Sequence, residues 1–560
     1  MVSGVTGASS IDVRAARATF PPPSLHPGPR LMTPTRREVL AQLAALAVLP
    51  RLPGLPRIDM DRDPLDGTIA DYQAGRRRGA WSAAETTARA LERCRTDGAR
   101  WRAIDAFSAT APAEAKEADA RLKAGRMRGP LDGVPVFAKS IYDMEGLATT
   151  GSSAEWARLF PEAVRRDALE VARLRAAGAI VLGKTAADDF AYRGEGTSSH
   201  TGQVLNPYDP GGTRTPGGSS AGSAVAVAAG MAFAALGTDD GGSNRIPAQC
   251  TGVVGMKPTF GLVPRTGVIP TWPLLDTHGP LARTVADAAL LLAAIAGADA
   301  SDPLSEGNLR LAALGEDALR GVRLGVVADH IPAAQMTPGA LAAWDRALGD
   351  LRAAGATVEL FPAAVTRANF RDLFLESARG RGDAVPDPRA PAATAAALFH
   401  YFAGRTADPR GAIRRGYAAY RAFYDVLPAT YEECEPLFTR AMAEDPAARS
   451  FARSRAEVVA KLAESMRAAK VTAMVYPTMP FGAFRVADGW PDVRTPLGYG
   501  NWLGLPEVSV PAGIGADGLP ALNLSVTGLP GDDARVLALA HAYERRSRRF
   551  AAPPRLAASR

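Results

Sequence analysis

Histidine and cysteine are scarce in this 560-residue chain, and the scarcity excludes much. The six histidines (26, 200, 278, 330, 400 and 541) all lie outside the Gly/Ser-rich loops, so a serine hydrolase of the usual histidine-dependent kind has no base where it would need one. The three cysteines, Cys94, Cys250 and Cys434, are far apart, with no CxxC and no Cys/His ligand spacing, which argues against structural zinc. Cys250 lies near the serine loops and is a nucleophile on paper, but a free cysteine is ordinarily a small buried hydrophobe. No Gly-Lys-Ser/Thr follows the glycines of the serine-bearing loops, so those loops do not read as a phosphate loop. The body also lacks the positive charge that the net +7 suggests. Residues 1–57 carry seven Arg against Asp12 and Glu38, and six Arg with no acid follow Glu544, which leaves 58–544 mildly acidic. That gives no argument for a nucleic-acid surface.

The N-terminus has its own signature. Thr35-Arg36-Arg37-Glu38-Val39-Leu40 resembles the twin-arginine export motif, and an apolar run over 39–49, broken only by Gln42, follows it. The run is too short to span a bilayer and suits a signal h-region. Ala45-Leu46-Ala47 is the only A-x-A nearby, and thirty-one residues precede Met32, so the start codon is Met1 or Met32. The reading is a disordered leader, 1–57, directing the protein to the periplasm or outside. The alternative is a basic leader with a short amphipathic helix on a cytoplasmic protein.

At 47% hydrophobic and 22% charged residues, the chain has the composition of a globular protein. Residues 58–130 read as helices, with Ser82 and Glu85 at capping-box spacing and Pro112 ahead of an exposed helix. The run 134–138 is a short buried strand ending in Lys139. A helix over 168–177 and a strand over 179–183 follow, and this alternation argues α/β. Residues 224–236 are almost wholly Ala, Val, Met, Phe and Leu, a buried helix or a helix feeding a strand. Helices are expected at 284–296 and 534–546, strands at 322–327, 471–476, 508–511 and 521–526, and a mostly helical stretch at 333–470.

Two glycine–serine turns bracket the small-residue run: Gly217-Gly218-Ser219-Ser220-Ala221-Gly222-Ser223 and Gly241-Gly242-Ser243. Gly218 to Gly222 matches the nucleophile elbow G-x-S-x-G with Ser220 as nucleophile, but the strand that motif needs is replaced by the Pro/Gly-rich stretch 209–216. The remaining constellation is Lys139, Ser219 and Ser243. A lysine at a strand end either snorkels to water or sits desolvated with a lowered pKa, able to act as a base. Ser–Lys pairs are a variant of triad logic, a second serine can relay the proton, and glycines beside Ser243 free the N–H groups of Asp240, Gly241, Gly242 and Ser243 for an oxyanion hole.

From about residue 83 to 544 the chain resembles the amidase signature family. The matching segments are Pro135-Val136-Phe137-Ala138-Lys139, Thr215 through Ser223, Gly237-Thr-Asp-Asp-Gly-Gly-Ser-Asn-Arg-Ile-Pro247, Gly252 through Thr259, Gly504 through Pro511 and His541 through Glu544. The spacing of twenty-four from Ser219 to Ser243 matches the family's spacing. The resemblance implies an α/β fold with one large mixed β-sheet core covered by helices on both faces. It implies an amidase domain over 58–550 (core 83–330 and 471–546, helical pocket region about 333–470) and a basic tail 551–560. It implies hydrolysis of a linear amide C–N bond through an acyl-serine: Ser243 as nucleophile, Ser219 as bridge after a cis Gly218–Ser219 bond, Lys139 as neutral general base. No metal or cofactor is implied. The implied partner is a small-molecule amide, with no nucleic acid and no stable membrane span, and a homodimer stays open. Alternatives are the glutaminase subunit of a tRNA-dependent amidotransferase, an ester hydrolase, and a non-catalytic binding protein on the same scaffold.

Two residues depart from the family pattern. Asp240 and Asn244 replace an uncharged and an apolar residue. Asp240 either selects an amine-bearing substrate or faces outward, solvated. Positions 476–480 and 497–505 are expected by position near the acyl pocket, with Trp502 equally readable as a core residue.

Overall fold

The small-residue run and the strands beside it sit in the middle of one sheet, and the rest of the chain is laid out from there. The computed structural model describes residues 63–554 except 308, 310–313, 441–443 and 494. The leader 1–57 with its twin-arginine motif, and the tail beyond 554, lie outside the described residues.

The strands in chain order are β1 Ile104–Phe107, β2 Pro135–Lys139, β3 Ile180–Thr185, β4 Thr197–Ser198, β5 Gly202–Gln203, β6 Ala234–Asp239, β7 Val254–Lys257, β8 Thr277–Ala282, β9 Arg323–Val326, β10 Thr357–Leu360, β11 Ala473–Pro477, β12 Glu507–Pro511 and β13 Asn523–Thr527. β4 and β5 pair only with each other, and the other eleven form a single sheet in the order β1-β3-β2-β6-β8-β7-β12-β13-β11-β9-β10. β3, β2 and β6 run parallel, as do β11, β9 and β10, while β8, β7, β12 and β13 pair antiparallel. The sheet is mixed and the class is α/β, as expected.

Local chemistry accounts for the elements. The Ser82 hydroxyl accepts from the Glu85 N–H at 3.0 Å and the Glu85 carboxylate accepts from the Ser82 N–H at 3.3 Å, closing the capping box. Such a cap is worth about 1 kcal/mol. The run 224–236 resolves into the buried helix Ala221–Ala228 and strand β6, which turn on each other through Ala229–Phe233. The helix Val285–Ile295 is capped by the Thr284 hydroxyl and buries its length against β8 and the helix Leu169–Ala176. Each of its Leu side chains taken out of water stabilises the fold by about 1.5–3 kcal/mol. Gly183 lies at φ +150 in β3 with the Ala106 carbonyl of β1 against it, so a Cβ there would stand 2.1 Å from that oxygen.

Four strands of the large sheet, and the short β4–β5 pair, are not legible in the sequence. β1 lies inside a stretch read as helical. β8 (THGPLA) and β7 (VGMK) carry His, Gly, Pro and Lys, yet are fully buried. β10 lies inside 333–470, so that stretch is not only a helical insertion and supplies the sheet's edge.

Candidate active site

Parallel pairing places the site. Val136 and Phe137 of β2 stand beside Ala234 and Ala235 of β6, so the C-terminal ends of both strands emerge on the same side of the sheet. Lys139 closes β2, and β6 runs out through Asp239 into the loop that carries Ser243. The crevice at strand C-termini is where open α/β sheets place ligands.

Lys139 is fully buried. Its Nζ donates to Ser219 Oγ at 2.7 Å and to Thr238 Oγ1 at 2.9 Å. Burial is the largest influence on the amine and brings its pKa down to about 8, against the opposing pull of Asp240, Asp188, Asp276 and Asp239. The snorkelling reading does not hold for this side chain. Ser219 is also fully buried, follows a cis Gly218–Ser219 bond, and accepts the Asp188 N–H at its carbonyl at 3.3 Å. The Ser220 N–H donates to the Ser243 carbonyl at 3.2 Å, which ties the two serine loops together. Ser243 is nearly buried and lines a cavity of about 650 Å³.

Ser220 has a different role from the elbow serine. It is fully buried, its Oγ donates to the Thr238 carbonyl at 3.3 Å, and it accepts the Thr238 N–H at 3.2 Å. No strand precedes it, and its hydroxyl is committed to the end of β6. Cys250 is fully buried as well, with its thiol pushed up to about 12 by burial, which fits the hydrophobe reading.

Of the four N–H groups expected at an oxyanion hole, one is engaged elsewhere. The Gly242 N–H donates to Asp239 Oδ1 at 2.7 Å and is turned away from the cavity donors. The N–H groups of Asp240, Gly241 and Ser243 have no hydrogen-bond partner among the described residues. Asp240 and Asn244 are both buried, so the solvated, outward reading of Asp240 is overturned. Asp240 Oδ1 accepts from Thr271 Oγ1 at 2.6 Å and lies 3.4 Å from the Trp272 N–H. Asn244 donates to the Met256 carbonyl at 3.1 Å, pinning the loop to β7.

A buried ionic network that the sequence reading missed holds this loop. Arg245 grips Asp239 with two hydrogen bonds, 2.9 and 2.8 Å, and reaches Glu507 Oε2 at 2.7 Å, Asn501 Oδ1 at 2.7 Å and the Leu497 carbonyl at 3.1 Å. All of these side chains are buried. Burial alone would raise the Asp239 carboxyl, but the Arg245 charge and its hydrogen bonds hold it down at about 2. Asp239 in turn takes the N–H groups of Gly242 and Asn244. The signal in the sequence is the opposite charges of Asp239 and Arg245 on either side of the Gly241-Gly242-Ser243 turn.

The cavity walls combine Asp240, Gly241 and Ser243 with Trp272, Trp502 and Arg371. Segment 385–389, from the expected pocket region, closes one side. Trp502 therefore lines the cavity as expected by position, whereas the Tyr476 hydroxyl bonds Glu507 at 2.9 Å and belongs to the scaffold. Among the described residues no helix is long and apolar enough to cross a membrane.

Comparison with known proteins agrees with this geometry. The amidase family profile matches residues 85–388. The A subunit of the glutamyl-tRNA(Gln) amidotransferase from Symbiobacterium thermophilum is 37% identical over 464 residues, covering 79% of this chain and 88% of the relative. The protein of the same name from Myxococcus xanthus is 35% identical, covering 86% and 97%. The solved peptide amidase from Stenotrophomonas maltophilia superposes with a TM-score of 0.69 at 31% identity, covering 87% of this chain and 98% of that one. With matches of this length and identity, and with the fold they share, the chain belongs to the amidase signature family.

Proposed function

We propose that this protein cleaves a carboxylic amide C–N bond through an ester formed on Ser243. The observation that carries the reading is the fully buried Lys139 amine, 2.7 Å from Ser219 Oγ, in a loop tied by the Ser220 N–H to Ser243, which lines the cavity. Uncharged Lys139 accepts the Ser219 hydroxyl proton while Ser219 Oγ takes the proton of Ser243, whose oxygen attacks the amide carbonyl. The N–H groups of Asp240, Gly241 and Ser243 receive the negative charge on the carbonyl oxygen. The relay returns the proton to the departing nitrogen, the C–N bond breaks, and water then hydrolyses the ester by the same route. An ester substrate needs the same parts.

Fluorophosphonate labelling tests this reading. Labelling should disappear in Ser243→Ala and slow strongly in Ser219→Ala and Lys139→Ala. Labelling that survives Ser243→Ala and disappears in Ser220→Ala would overturn it.

The names of the curated relatives support a second, more specific reading: the glutaminase-type A subunit of a glutamyl-tRNA(Gln) amidotransferase, in which the same acyl chemistry frees ammonia from glutamine. Of the two, that reading has the stronger support from relatives. Against it stands the twin-arginine-like leader, which supports export. Ammonia release from glutamine, measured with and without glutamyl-tRNA(Gln), separates them: a stand-alone amidase hydrolyses simple amides and gains nothing from the tRNA.

A further inference from the structure

The departure at position 240 puts an acid where it can read the substrate. Asp240 is 9% exposed, lines the cavity beside Ser243, and spends Oδ1 on Thr271. Its other oxygen, Oδ2, is buried and has no hydrogen-bond partner among the described residues. An orphaned buried oxygen is costly, and it costs less once a donor arrives. Asp240 is part of the cavity lining, so a donor would reach its carboxyl from the cavity.

We propose that Asp240 is a specificity residue whose Oδ2 takes an N–H from an amine close to the scissile carbonyl, so that the preferred substrates are amides of α-amino acids or similarly amine-bearing acids. The inference rests on the acyl-serine reading for its geometry. Asp240 lies three residues before Ser243 in the loop whose N–H groups face the carbonyl oxygen, so its carboxyl meets atoms one or two bonds from the carbonyl carbon. Trp272, joined to Asp240 through its N–H, and Trp502 offer apolar walls for a side chain on the same carbon.

Facing Asp240 are Lys139 from β2, Asp239 from β6, Asp276 ahead of β8, Arg265, and the phenols of Tyr420 and Tyr424. Burial and the like charge of Asp276 push the free carboxyl above the usual carboxylate range. An entering ammonium opposes both by stabilising the carboxylate.

The test is calorimetric binding to full-length Ser243→Ala protein in slightly acidic buffer, where the ligand amine is an ammonium. The probes are D- and L-phenylalaninamide and 3-phenylpropanamide, which differ only by the amine. One enantiomer should bind about tenfold or more tighter than the deamino amide, the size of one charge-assisted hydrogen bond. Adding Asp240→Asn should collapse the preference to within about twofold. Equal binding of all three amides, or a preference that survives Asp240→Asn, overturns the proposal. The comparison of the three amides is read on protein that keeps Asp240, so a poorly folding variant does not shield the idea. The assay needs no turnover. Failure of the acyl-serine reading shows separately, as wild-type protein that binds with the amine preference but takes no fluorophosphonate.

Discussion

Lys139 and Asp239 are both fully buried, and their surroundings treat their charges oppositely. Lys139 meets two hydroxyls and loses its proton near pH 8, where a lysine in water would hold it to 10.5. In the proposed role of general base it works only when neutral. The labelling rate should therefore rise with pH, pass its midpoint near 8, and level off above, while a rate flat from pH 6 to 9 would refute the role. Replacing Lys139 by Ala should cost about 10²–10⁴-fold in that rate, the usual worth of a positioned base. Asp239 meets a guanidinium and is held at about 2, below the ordinary 3.8. A depressed carboxylate stabilises the fold above its unfolded pKa and loses that contribution as pH falls through the folded one. Asp239 should thus add stability above about pH 4 that is lost on acidification toward 2. Arg245→Met leaves Asp239 and Glu507 as uncompensated buried acids and should lower unfolding free energy by about 3–5 kcal/mol in urea titration. A loss under about 1 kcal/mol would show that the network is dispensable.

At the scale of elements, the two serine loops differ in what their hydroxyls touch. Ser220→Ala removes a bond to the end of β6 and should cost about 1 kcal/mol in stability with labelling retained. Gly242 lies at φ +123, and a Cβ there would come within 2.8–2.9 Å of Ile246 and Leu497 side chains. Gly242→Ala should cost about 1–3 kcal/mol from that conformation and slow labelling out of proportion, because the N–H groups on both sides of it must turn with it. The elements the sequence made legible are those whose pattern matches their environment. The β2 stretch is continuously apolar up to Lys139, and the run 224–236 has no polar side chain to mislead. β8 was hidden because Thr277, His278, Gly279 and Pro280 spell a turn, and only tertiary burial makes them a strand. Asp239, Arg245 and Glu507 were hidden because charge reads as surface until a partner is seen. For Asp240, sequence supplied the question but not the answer: no local pattern says whether a carboxyl faces water or a cavity.

For the whole molecule, the strand order matters more than the strand list. The last two strands, β12 and β13, lie between β7 and β11, near the centre of the sheet. Residues 85–388, the span of the family profile, hold β1 to β10 yet leave a gap between β7 and β9. A fragment ending at residue 470 should therefore show no cooperative thermal transition by circular dichroism, although it keeps Lys139, Ser219 and Ser243. A sharp transition in that fragment would mean that the first ten strands close a sheet unaided. The Arg245–Glu507 bridge makes the same dependence chemical, since the loop carrying Ser243 is clamped by a side chain from β12. On the ribosome, the loop carrying Ser243 is thus synthesised long before its clamp. A nascent chain holds that loop unclamped until β12 emerges, so on the proposed mechanism a truncated translation product is left inert rather than loosely hydrolytic.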